Sequence, residues 1–114
     1  MIAVQKGNTV LEGINNMIDA MKSDYNNSSF SGDKQYEIKV GKKYIKVISD
    51  GGVNSFVVNT DTDPKFKLGD VLMAASWNSP ARNSARGNVL EGGFPIQWTG
   101  PLYLRWYEFS ISWG

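Results

Sequence analysis

The segment ASWNSPARNSARGN, Ala75 to Asn88, brings one tryptophan and two arginines together without an acid. It does so in a chain whose 12 basic and 11 acidic residues leave a formal net charge of +1. Guanidiniums present forked donors that match phosphate and carboxylate, and an indole presents a stacking face. Trp77, Arg82 and Arg86 are therefore a candidate contact for an anionic ligand or a nucleic acid. The plainer reading is structural: Arg near a helix end satisfies stray carbonyls, and a Trp ahead of a short helix anchors a core. A second basic group lies on one hairpin, where Lys34, Lys39, Lys42, Lys43 and Lys46 alternate with Tyr36 and Tyr44. Basic groups among aromatics suit a phosphate backbone with stacked bases, and Lys42 and Lys43 join the candidate contact on that ground. Lysines on the solvent side of a hairpin also keep an exposed edge from pairing with another chain, which needs no ligand.

Much chemistry is excluded by what the chain lacks. It has neither Cys nor His, which removes disulfides, thiolate and imidazole metal ligands, Cys nucleophiles and the commonest general base near neutral pH. The turn after the third strand sets Asn59, Asp61, Asp63 and Asp70 at positions 1, 3, 5 and 12 of a calcium-loop register. Pro64 stands where that loop needs Gly, and Lys65 and Lys67 oppose a cation, so the acids read as a solvated turn. Other carboxylates stand singly. No catalytic residue, cofactor or metal is expected, and the protein reads as a non-enzyme.

These residues must be carried by a small scaffold. At 114 residues the chain is one domain, residues 1–114, with one core that hides roughly two-thirds of the unfolded surface. In TVLEGINNMIDAMKSDYN the residues Val10, Leu11, Ile14, Met17, Ile18, Met21 and Tyr25 recur at helical spacing. Thr9 and Glu12 have the spacing of a capping box, which starts the helix near Thr9. Gly13 weakens a helix interior or marks a close contact. From Lys34 the period changes to two in KQYEIKV, KYIKVIS and SFVVN, divided by Gly41-Lys42 and by DGG at Asp50 to Gly52. DVLMAA, FPIQW and LYLRWYEFSISW supply further extended runs. Between them Ser79 as cap, Pro80 at the first helical position and Gly87 as a left-handed stop predict a two-turn helix from Pro80 to Arg86. That helix would set Arg82 and Arg86 on one face and Ala81 and Ala85 on a docking face.

The expected fold is α+β: one N-terminal amphipathic helix packed on a curved antiparallel sheet or small half-open β-barrel of five to six strands, with a short second helix near residues 80–86. The last strand carries Tyr103, Trp106, Tyr107, Phe109 and Trp113, more aromatics than one face of a terminal strand buries. Trp106, Tyr107, Phe109 and Trp113 are thus a candidate protein interface, and a homo-oligomer is the expected use of the surplus. No apolar run of membrane-spanning length and no basic-then-apolar start is present, so a soluble, unexported protein is expected. The sequons at Asn26 and Asn27 would matter only in a secreted eukaryotic protein.

Through FKLGDVLMAASWNSPARNSARGN and IQWTGPLYL the chain resembles a group of small uncharacterised proteins of tailed bacteriophages, particularly marine and cyanobacterial ones. The resemblance runs from about Tyr36 to Leu104. It is carried by Gly69, Asp70, Ala75, Ser76, Trp77, Pro80, Ala81, Ala85, Arg86, Gly87, Asn88, Gly100, Pro101, Tyr103 and Leu104. Lysines often stand in that group where this chain has Met73 and Asn78, a departure that weakens a nucleic-acid reading. The resemblance implies a setting, an infected bacterial cytoplasm or a virion, and no mechanism. The expected function is a phage-type accessory module that self-associates through the aromatic C-terminal strand. The alternative is nucleic-acid or anion binding through Trp77, Arg82, Arg86 and the hairpin lysines.

Overall fold

Thr9 opens the helix as its sequence position predicts. In the computed structural model, which describes residues 2–27, 34–97 and 99–101, helix α1 spans Val10–Asn26. Thr9 is extended, and its Oγ1 accepts from the Glu12 amide at 3.1 Å. The Glu12 carboxylate accepts from the Asn8 amide at 3.3 Å, one residue earlier than in a standard capping box. Ile14, Met17, Ile18 and Met21 form the buried stripe with Gly13 and Ala20, whereas Leu11 faces outward.

Five strands form an antiparallel sheet in sequence order: β2 (Tyr36–Val40), β3 (Tyr44–Ser49), β4 (Gly52–Val58), β5 (Asp70–Met73) and β6 (Gly87–Asn88). A second antiparallel sheet joins β1 (Ile2–Ala3), β7 (Pro95–Gln97) and β8 (Gly100–Pro101) in the order β1-β7-β8. The turn from β3 to β4 places Asp50 at φ 51° and Gly51 at φ 83°. Both are left-handed, the backbone of a type I′ hairpin turn, for which Asp-Gly is a preferred pair.

The larger sheet is covered on both faces. Ile45, Val47, Val57 and Val71 meet Ile14, Met17 and Met21 of α1, together with Val89, Phe94 and Ile96. On the opposite face Phe56, Val58, Leu72 and Phe66 form a second cluster, with Tyr44, Ala74 and Ala85 packed against it. Successive residues Phe56, Val57 and Val58 of β4 serve different cores, so FVV reads as an unbroken apolar run rather than an alternation. The two sides meet the helix start at a close junction. The Gly7 amide donates to the Val89 carbonyl at 2.9 Å, and a Cβ on Gly13 would stand 2.5 Å from that same carbonyl oxygen.

The fold is α+β as expected, with the larger antiparallel sheet at five strands, and the correction falls on residues 80–87. The strands divide into a sheet of five and a sheet of three, and no closed barrel forms among the described residues. No second helix occupies residues 80–86. Pro80 instead bridges Ala74, the Ala81 amide donates to the Met73 carbonyl at 2.7 Å, and the Arg86 amide donates to Val71 at 2.7 Å. The exposed edge of β5 offers acceptors for this segment, and tertiary hydrogen bonds outweigh the local Ser-Pro and Gly signals. Gly87 is consequently a strand residue, valued for space: a Cβ there would meet the Phe94 ring at 2.2 Å. The expected strand LYLRWYEFSISW, Leu102 to Trp113, lies outside the described residues. No helix among the described residues is long and apolar enough to cross a membrane.

Candidate anion-binding site

A tight turn precedes the segment that was expected to be helical. The Ser79 carbonyl accepts from the amides of Ala75 at 2.9 Å and Ser76 at 3.0 Å, so Trp77 and Asn78 occupy the tip. This turn folds over the outer face of the β2 and β3 hairpin. Register sets Lys39 of β2 directly opposite Lys46 of β3, and both reach the same indole: Lys46 Nζ lies 4.5 Å from the Trp77 ring centre and Lys39 Nζ lies 6.0 Å from it. Lys46 also donates to Asn78 Oδ1 at 3.2 Å. Like charges directly opposite across a strand pair are destabilising. The quadrupole of the indole and the Asn78 amide partly offset that repulsion. Trp77 nevertheless remains 46% exposed, so the ring is available to stack on something else.

The arginines behave differently. Arg82 makes a forked ion pair with Asp63, Nη1 to Oδ2 and Nη2 to Oδ1, both at 2.9 Å. It also donates to the Tyr44 hydroxyl and lies 4.9 Å over the Phe66 ring. Asp63, with its side chain only 2% exposed, accepts in addition from the amides of Lys65 at 2.8 Å and Phe66 at 2.9 Å. The Arg82 hydrogen bonds, then those two amides, hold its carboxyl far below the usual carboxylate range. Hydrogen bonding to Asp63 in turn raises the Arg82 guanidinium. Arg82 thus ties the loop after β4 to the loop after β5. Arg86 is half-buried, and its backbone is fastened to Val71. The helical spacing that was to align the two arginines is absent, and the cations that meet Trp77 are lysines.

The remaining candidates divide as follows. Lys42 and Lys43 are exposed in the turn between β2 and β3, on the hairpin that carries Lys39 and Lys46. Lys34 pairs with Asp50 at 2.5 Å, which lowers the Asp50 carboxyl, and its Nζ lies 5.5 Å from the Tyr25 ring centre. In the Asp-rich turn Asp63 serves Arg82, while Asp70 accepts from the Lys67 amide at 2.9 Å. Asp70 also accepts from Asn88, whose amide is fully used: Nδ2 donates to Asp70 and Leu68, and Oδ1 accepts from Leu90 and Glu91. Trp106, Tyr107, Phe109 and Trp113, the candidate protein interface, lie outside the described residues. Sequence reasoning joined Trp77 to Arg82, Arg86, Lys42 and Lys43 and did not single out Lys39 and Lys46, the lysines that meet the ring. The one available signal was strand register, which puts Lys39 and Lys46 on one face once the hairpin turn is fixed.

A family of unknown function, DUF7717, matches residues 3–102, and the chain belongs to it. No curated protein and no solved structure matches it.

Proposed function

We propose that this member of the DUF7717 family is a non-catalytic binding module that holds single-stranded nucleic acid on the outer face of its β2 and β3 hairpin. The observation that carries this reading is the pair of opposed ammoniums of Lys39 and Lys46 beneath the exposed ring of Trp77. A phosphate beside the two lysines relieves a repulsion that the free protein retains. A base stacked on the indole supplies the sequence-tolerant part of the affinity. Lys42 and Lys43, exposed at the hairpin turn, extend the basic track along the strand. Arg82 contributes indirectly, by holding Tyr44 and the loop after β4 in place. The resemblance to phage proteins adds a setting to this reading, the cytoplasm of an infected bacterium or a virion.

Titration with single-stranded DNA and RNA oligonucleotides, followed by Trp emission, tests the reading. A Trp77→Phe variant identifies the responding ring. Binding should weaken steeply with salt, and the double variant Lys39→Ser, Lys46→Ser should reduce the log–log salt slope by about 1.4, the share of two phosphate contacts on a single strand. A silent titration at low salt, together with no mobility change, overturns it.

A further inference from the structure

We infer that β2 recognises itself: two copies of the chain pair their Tyr36–Val40 strands antiparallel about Ile38, forming a symmetric dimer with one continuous sheet. Among the described residues β2 ends the strand order of the larger sheet, with β3 on one side only. Its outward backbone groups form an edge onto which a further strand can add. The sequence of this edge, YEIKV, is self-complementary. In the register centred on Ile38, Glu37 of each copy stands opposite Lys39 of the other, and Tyr36 stands opposite Val40. Glu37 and Lys39 are both exposed, and Val40 is 63% exposed, so each has a partner to gain. Moving the centre of symmetry from Ile38 to Glu37 or to Lys39, a slip of two residues between the strands, sets Glu37 against Glu37 or Lys39 against Lys39, and both are repulsive. A lysine on an edge usually prevents pairing. Here the glutamate two residues earlier converts it into a register code.

The pairing shares Lys39 with the nucleic-acid site but needs neither the indole nor Lys46, and it is measured on the free protein with no oligonucleotide present. A two-fold axis normal to the sheet is the isologous arrangement expected of a dimer. It keeps like faces together, so the Trp77 turns of both copies share one surface and both copies of α1 share the other.

Charge exchange tests the pairing on the whole chain, with sedimentation velocity and light scattering from micromolar to millimolar concentration. The wild type should dimerise in this range. Glu37→Lys and Lys39→Glu should each raise the dimer dissociation constant at least tenfold, because each places like charges opposite one another twice. An equimolar mixture of these two single variants should form the heterodimer, and the double variant Glu37→Lys, Lys39→Glu should recover wild-type association. Far-UV circular dichroism of each variant should match the wild type, since both positions are exposed. A wild type that stays monomeric throughout overturns the proposal. So do single variants that dimerise normally, which would place the interface elsewhere, and a mixture and double variant that fail to recover.

Discussion

Arg82 and Asp63 show how a charged side chain can look free in a sequence and be committed in a fold. Their separation along the chain gives no local cue, because a forked pair between two loops depends on where the sheet between them directs each loop. The depressed Asp63 carboxyl has a definite consequence for acid stability. A group whose folded pKa lies below its ordinary value, here 3.8, stabilises the fold at every pH above that value. The contribution is lost as pH falls through the lower, folded pKa. Asp63→Asn should therefore lower the thermal midpoint at neutral pH. The gap to wild type should close as both are taken well below pH 3.8, since the wild-type carboxyl then protonates as well. Thermal melts across that range check it, and a gap that persists unchanged in strong acid would show that the pair's charge is not what matters. Asn88 makes a complementary case among neutral groups. Its replacement by Leu leaves the Leu68 carbonyl and Asp70 Oδ1 without the Nδ2 donor and the Leu90 amide without its acceptor, while the Glu91 amide keeps the backbone carbonyl of residue 88. The loss should be about 3 kcal/mol, the upper part of the range for an unsatisfied buried partner, measurable by urea unfolding.

The elements with a strong internal period were legible. Helix α1 announced itself through Ile14, Met17, Ile18 and Met21, strands β2 and β3 through alternation, and the entry to β4 through the Asp50-Gly51 turn. The stretch from Pro80 to Arg86 was not, for a reason that can be stated physically. Ser79, Pro80 and Gly87 are good local terminators, but a two-turn helix is marginal on its own because its nucleation cost is spread over few hydrogen bonds. The carbonyls of Met73 and Val71 on β5 supply stronger, long-range acceptors. Hydrogen exchange separates the two outcomes: the amides of Ala81, Arg86 and Val89 should be protected as isolated positions, whereas a helix would protect consecutive ones. The short strands β1, β6 and β8, each of two residues, are too brief to carry any period. Half of the candidate site was legible for the same reason. The lysine face follows from strand alternation, but the fold-back of the Trp77 turn onto it depends on the Ala74 to Pro80 bridge, which no local pattern encodes.

Taken whole, the molecule has two apolar clusters but one sheet between them, and β4 contributes to both through Phe56, Val57 and Val58. Neither cluster can be lost without exposing the back of the strand that supports the other. Met17→Ala on the helix side and Phe56→Ala on the other side should each cost about 2–5 kcal/mol and leave the urea slope unchanged. Circular dichroism and Trp emission should give coincident transitions, and separated transitions would mean that the two clusters unfold independently. The meeting of Gly7, Gly13 and Val89 extends this to time. A Cβ at Gly13 would press on the Val89 backbone; helix propensity favours Ala by about 1 kcal/mol, but the crowding should reverse the sign to a net loss of about 1–3 kcal/mol. The junction joins the start of the helix to a residue near the far end of the described chain, so it closes only after the intervening strands are in place. Its strain is then absent from the folding transition state, and Gly13→Ala should hasten unfolding while leaving the refolding rate almost untouched. The junction is thus a latch on the lifetime of the native state rather than a guide to its formation.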